Sequence, residues 1–137
     1  MLGRERLARL LLGQMHMPIR QSEDLTERMF RFTCDVYDYC QELVRDPGLA
    51  RRLAYQLFDA AGSVGANREE AKAAYSRREF TSKNAISLKE CREANFWLRV
   101  AHAKSLGNPE RRQHLLIESN ELISILTTSV KRLQTSS

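Results

Sequence analysis

Apolar residues recur every three or four positions along most of the chain. From Asp24 to Asp46, Leu25, Met29, Phe32, Val36, Tyr39 and Leu43 advance by alternate steps of four and three. That spacing puts them on one stripe of a helix and matches the seam of a helical bundle. Ser22 offers an N-cap oxygen, and Asp24 and Glu27 suit the positive end of the helix dipole. Asp46-Pro47-Gly48 ends the segment, because proline cannot extend the backbone hydrogen-bond ladder. The rhythm resumes at Leu53, Leu57, Ala60, Val64, Asn67, Ala71 and Ala74, where only Asn67 is polar.

Inside this second segment lies Ala61-Gly62-Ser63-Val64-Gly65-Ala66-Asn67. Each glycine costs about 1 kcal/mol relative to alanine in a helix interior, so a compensating contact is expected. Close approach of another helix, within the bundle or across a subunit contact, supplies one; a loop dividing the segment is the rival reading. Glu69 to Ala74 returns at once to strong helix formers and favours a continuous or kinked helix.

Ser76 and Glu79 match the S-x-x-E capping box, so a third helix starts there and runs to Leu106, where Gly107-Asn108-Pro109 stops it. Its seam of Phe80, Asn84, Ser87, Cys91, Ala94, Leu98 and Ala101 is polar in the middle. A fourth helix extends from Asn108 or Pro109 to Leu133 on a stripe of Leu115, Leu122, Leu126 and Leu133, widened by Ile123 and Val130. No segment alternates with period two, so nothing predicts a sheet. Four helices with short connections predict an all-α fold, an antiparallel up-down-up-down four-helix bundle over residues 22–133. Residues 1–21 form an extension, frayed or a short amphipathic helix, and 134–137 a disordered tail.

A chain of 137 residues with 42% hydrophobic and 28% charged positions fits one compact domain. No run approaches the roughly twenty apolar residues that cross a bilayer, and the N-terminus lacks the apolar core of a signal peptide. Cys34, Cys40 and Cys91 are odd in number and form no C-x-x-C pair, which predicts a cytoplasmic protein without disulfides. Cys34 and Cys40 read as buried small hydrophobes.

The familiar chemistries find no residues. A di-iron bundle needs Glu-x-x-His, which is absent, and His16, His102 and His114 stand in separate contexts. Gly62-Ser63-Val64-Gly65 is not the Gly-x-Ser-x-Gly of a nucleophile elbow, and there is no P-loop or dinucleotide fingerprint. No metal, cofactor or catalytic residue is therefore expected. Ser63, Asn67 and Glu70 on the second helix, with Lys83, Ser87 and Glu90 on the third, have the spacing to face one another. They predict a buried polar network that fixes register or, alternatively, the lining of a small-molecule cavity.

The net charge of +5 is unevenly spread. Between Asp24 and Asp46, Asp24, Glu27, Asp35, Asp38, Glu42 and Asp46 outnumber Arg28, Arg31 and Arg45. Between 77 and 107, Arg77, Arg78, Lys83, Lys89, Arg92, Arg99 and Lys104 outnumber Glu79, Glu90 and Glu93. Such a two-sided molecule can pair acidic with basic helices between subunits, or hold nucleic-acid phosphates on its basic side.

Asp24-Leu25-x-x-Arg28-x-x-x-Phe32, Ser63-Val64-Gly65-Ala66-Asn67-x-x-Glu70-Ala71 and Arg78-x-Phe80-x-x-Lys83-x-x-Ile86-x-x-Lys89-Glu90-x-x-Glu93-x-x-x-Trp97-Leu98 carry a resemblance. Over residues 24 to 133 the chain resembles the four-helix bundle proteins encoded in intervening sequences of bacterial large-subunit ribosomal RNA genes. A related branch is the accessory variability determinant of diversity-generating retroelements. The resemblance implies a homopentameric ring with no catalytic residues. For the retroelement branch it implies a basic surface that binds a reverse transcriptase and its template RNA.

Overall fold

The computed structural model of the chain describes residues 21–135, with side chains from Leu25 onward. Four helices follow in order: α1 (Gln21–Leu43), α2 (Leu49–Lys72), α3 (Arg77–Ala103) and α4 (Pro109–Thr135). No strand occurs among the described residues. Each helix packs on its neighbours in sequence, and α1 packs on α4 to close the bundle.

The direction of the helices follows from which residues meet. Along α1, Thr26, Thr33 and Cys40 meet Arg68, Ala61 and Ala54 of α2, so one register rises by sevens as the other falls by sevens. The same reversal pairs Asn84 and Ser87 of α3 with Arg68 and Val64 of α2. Asn95 and His102 of α3 meet Ser119 and Arg112 of α4, and Arg28 and Asp38 of α1 meet Glu118 and Arg111 of α4. All four contacting pairs of helices are antiparallel.

The α1 seam is buried along its whole length, from Leu25 through Met29, Phe32, Val36 and Tyr39 to Leu43. Leu57, Val64, Leu98, Leu115, Leu122 and Leu126 complete the core from the other helices. The α2 seam differs from the expected one in two places: Ala74 lies beyond the end of the helix at Lys72, and the step at Asn67 is displaced. Asn67 is only half-buried, and Arg68 is turned inward at 3% exposure. Its Nε donates to Thr26 Oγ1 at 3.0 Å and a terminal nitrogen donates to Asn84 Oδ1 at 2.7 Å, while its guanidinium carbon lies 5.9 Å from the centre of the Phe80 ring. Burial lowers the pKa of this guanidinium, and Glu69 opposes the shift.

Helix α2 is continuous through both glycines. A Cβ on Gly65 would lie 3.2 Å from Thr33 Oγ1 and 3.7 Å from the Met29 carbonyl oxygen. Gly65 therefore admits α1, whose Thr33 hydroxyl is within hydrogen-bond reach of the Met29 and Ala61 carbonyls. The expected close approach lies inside the bundle. Gly62 faces open space.

The connections carry their own locks. Gly48, at φ 131°, precedes α2 after Pro47. Ser76 Oγ accepts from the Glu79 amide at 3.1 Å, as the capping box predicts, while the Glu79 carboxylate accepts from the Tyr75 amide, one residue before the N-cap. Before α4, Asn108 Oδ1 accepts from the Arg111 amide at 2.9 Å. The buried Tyr39 hydroxyl donates to the Leu106 carbonyl at 2.6 Å, and Arg112 donates to the same oxygen at 2.7 Å.

Several boundaries differ from the sequence reading, and α1 stops at Leu43 rather than Asp46. Helix α1 includes Ser22, so its start precedes the expected cap, while the extension up to residue 20 lies outside the described residues. Helix α3 ends at Ala103 rather than Leu106, because Ser105 and Gly107 take positive φ. Helix α4 continues through Gln134 and Thr135, whose hydroxyl donates to the Lys131 carbonyl; Ser136 and Ser137 lie outside the described residues.

Candidate nucleic-acid interface

Helix α3 meets α2 along one side and α4 along the other, and this sorts its charges. Successive residues turn by about 100°. Positions 84 and 87 face α2, and positions 95 and 102 face α4. Arg78, Arg92, Phe96 and Arg99 then fall on the outward arc toward α4, with Lys89 at its edge. Glu79 and Glu90 fall on the side toward α2, while exposed Glu93 points straight outward, four residues after Lys89 and three before Phe96. Arg92 and Arg99 are thus separated from Glu79 and Glu90, with Glu93 on the border.

Helix α4 turns two of its three acids, Glu118 and Glu121, away from the basic side; the third, Glu110, stands in its first turn. Asn120 Oδ1 accepts from Asn95, so the stripe of Gln113, Asn120 and Thr127, stepped by seven, lines the α3 side with neutral polar groups. Glu118 and Glu121 point the other way and bind Arg28 of α1 at 2.6 and 3.2 Å. The α1–α4 seam also pairs Asp38 with Arg111, and Asp35 with His114 at 3.6 Å. Burial pushes the Asp35 carboxyl above its ordinary range, against the pull of His114.

The seven basic candidates therefore do not form one surface. Lys89, Arg92 and Arg99 are exposed and make no ion pair among the described residues. Arg78 continues their face toward the start of the helix, where Arg77 is also exposed. Lys83 lies on the α2 side, 2.7 Å from Glu70, which holds its pKa above the ordinary lysine value. Lys104 follows the last turn of α3 on that same side.

The polar cluster likewise resolves into separate contacts. Asn67 donates to the carbonyl and hydroxyl of Ser63 on its own helix. Glu70 and Lys83 make a surface ion pair. Ser87 is fully buried and donates to the Val64 carbonyl at 2.8 Å, tying α3 to α2. Glu90 stands apart beside Glu93, and burial followed by the Glu93 hydrogen bond pushes its carboxyl above the ordinary range. Two clefts, of about 600 and 270 Å³, open elsewhere and include none of these residues. A polar network that does cross the interior is Thr26–Arg68–Asn84, whose centre lies one position beyond the Asn67 of the expected seam.

Around the bundle, the α1–α2 face is the least polar. Phe30 and Tyr37 of α1 are 57% and 53% exposed, and Tyr55 and Phe58 of α2 are 57% and 38% exposed. Tyr37 and Phe58 meet edge to face at 5.8 Å. Cys34 is exposed, contrary to the buried role expected of it, because it lies half a turn from the α1 seam. Cys40 and Cys91 are buried, and burial pushes both thiols up to about 12. In the folded protein a thiol reagent should accordingly modify one cysteine, Cys34, rapidly; Cys40 and Cys91 should react at the rate of unfolding. Mass spectrometry of briefly labelled protein reads the sites, and rapid labelling of Cys91 would contradict the packing.

Among the described residues, no group of three His, Cys, Asp or Glu side chains is placed to hold a metal ion, and no helix is long and apolar enough to cross a membrane. The 23S rRNA-intervening sequence protein family model matches residues 21–128. A similar solved structure is that of a protein of unknown function from the S23 ribosomal protein family of Bacteroides thetaiotaomicron. It superposes with a TM-score of 0.70 at 25% identity, covering 78% of this chain and 98% of that one. No curated protein matches the sequence. With four antiparallel helices and a family match that spans nearly all of them, the chain belongs to the 23S rRNA-intervening sequence protein family.

Proposed function

We propose that this protein is a non-enzymatic, homo-oligomeric scaffold that offers a basic surface to RNA or to an RNA-bound protein such as a reverse transcriptase. The observation that carries the reading is the segregation of charge on α3. Arg78, Arg92 and Arg99 share the outward face toward α4, while Glu79 and Glu90 turn toward α2 and Glu93 borders the basic face beside Lys89. Phosphates bind where cations cluster without intervening carboxylates. The family's name ties it to ribosomal RNA genes, which agrees with an RNA partner.

One feature supports self-assembly, for which a pentameric ring is the form proposed. The aromatic α1–α2 face exposes four large side chains around Cys34 and Gly62, as a contact surface does.

The test measures binding of a structured RNA across a salt series. Between about 50 and 200 mM salt the affinity should fall by at least tenfold, as expected when several phosphates are neutralised. Binding that is insensitive to salt would remove the phosphate-contact reading. Light scattering should return five times the 15.8 kDa of one chain. A monomer at micromolar concentration would remove the ring.

A further inference from the structure

The basic face carries an aromatic ring that the packing does not require. Phe96 is 46% exposed and sits one turn after Arg92 and one turn before Arg99. One of its edges is braced by Trp97, with ring centres 5.0 Å apart and planes 71° apart. Arg99 holds its guanidinium carbon 5.9 Å from the Phe96 centroid, near the outer limit of about 6 Å for a cation–π contact. That loose contact leaves the guanidinium able to turn to a phosphate.

Burying nearly half of a phenylalanine would be favourable, so an exposed ring among cations needs a partner with both an apolar face and negative charge. An unpaired nucleotide has both. A duplex hides its base faces in the stack and presents only phosphates and groove edges. Lys89, Arg92 and Arg99 span ten residues, about 15 Å of helix, which is room for several phosphates of an extended strand. The neutral stripe of Gln113, Asn120 and Thr127 adds hydrogen-bonding groups without repelling the backbone.

We infer that Phe96, flanked by Arg92 and Arg99, is a stacking platform for an unpaired RNA base, so that the basic face prefers single-stranded RNA to duplex. This rests on the RNA reading proposed above and names the form of RNA. Stacking on an aromatic side chain contributes about 1–3 kcal/mol per base, which corresponds to a loss of at least about fivefold when the ring is removed.

The test compares a labelled oligoadenylate RNA with a blunt RNA duplex of equal length, using wild type, Phe96→Leu and the double variant Arg92→Gln/Arg99→Gln. Phe96→Leu keeps apolar bulk beside Trp97, and thermal melting verifies its fold. It should weaken oligoadenylate binding at least about fivefold and leave duplex binding unchanged. The double variant should weaken both RNAs and reduce the salt slope by about two. Trp97 is the chain's one tryptophan, so its emission should change when oligoadenylate binds to the wild type and change less with duplex.

If Phe96→Leu binds oligoadenylate as wild type does while the double variant loses both RNAs, the platform is overturned and the basic face stands. If wild type binds neither RNA, both readings fall.

Discussion

Replacing Arg68 by alanine should destabilise the protein by about 3–4 kcal/mol, read as a lower urea midpoint at unchanged slope. The guanidinium joins three helices, with Thr26 of α1 and Asn84 of α3 on either side of its own α2. Removing it takes a hydrogen bond from Thr26 and one from Asn84 Oδ1, and a buried oxygen left unsatisfied costs about 1–3 kcal/mol. It also vacates the volume of a long side chain at a position only 3% exposed. Arg68→Met is the informative companion. Methionine refills the space along the arginine stem and no longer requires a cation to be desolvated. Asn84 keeps its bond to the Phe80 carbonyl at 2.8 Å. The methionine variant should lose less than half as much as the alanine variant. Equal losses would mean that the charge itself, rather than the filled and hydrogen-bonded space, sustains this junction.

The second large effect is expected far from Arg68, in the α3–α4 connection. Gly107→Ala should cost about 2–4 kcal/mol, from two sources that act together. Gly107 has φ 69°, a conformation that residues with a Cβ adopt only at a penalty. A Cβ there would also lie 2.8 Å from Tyr39 Cε1 and 3.2 Å from Cζ, inside contact distance of a fully buried ring. The ring cannot retreat without loosening its 2.6 Å bond to the Leu106 carbonyl. Tyr39→Leu, combined with Gly107→Ala, separates the sources, because it removes the ring that the Cβ would meet and leaves the positive φ. If Gly107→Ala proves neutral in thermal melting, the loop accommodates a side chain by a route the packing around Tyr39 does not provide.

These sites mark where sequence alone runs out. The α1 seam was legible throughout because its core positions are all large and apolar, so the alternating steps of four and three had no competitor. In α2 four of the eight buried residues are alanines, and a stripe through positions 57, 61, 64, 68 and 71 fits a 3.6-residue period as well as one through Asn67. Charge argued for Asn67 inside and Arg68 outside. The opposite holds because Thr26 and Asn84 supply oxygens to the guanidinium. The polar middle of α3 had a simpler cause, since Ser87, Cys91 and Asn95 each bond a group on an adjacent helix.

The candidate interface was half legible. Counting charges found a basic third helix, and a helical wheel gives the angles between its residues. Only the packing says that one side of that wheel meets α2 and the other α4, which separates Arg92 and Arg99 from Lys83. Exposure of Cys34 was readable from its position opposite the seam. The aromatic α1–α2 face also had a signal, in that Phe30 and Tyr37 repeat by seven off the apolar stripe.

The antiparallel register has a consequence for how the chain finds its fold. Three of the four helix–helix seams join consecutive helices through short connections, so each closes a small loop. The fourth links residues 90 positions apart, as in the Arg28 to Glu118 hydrogen bond. Chains dominated by such local contacts fold on timescales of about microseconds to milliseconds. The entropic cost of long-range closure is concentrated on the α1–α4 seam, where opposite charges meet at the surface. Ionic strength thereby acts on the last seam to be stitched more than on the three zipped hairpins beside it.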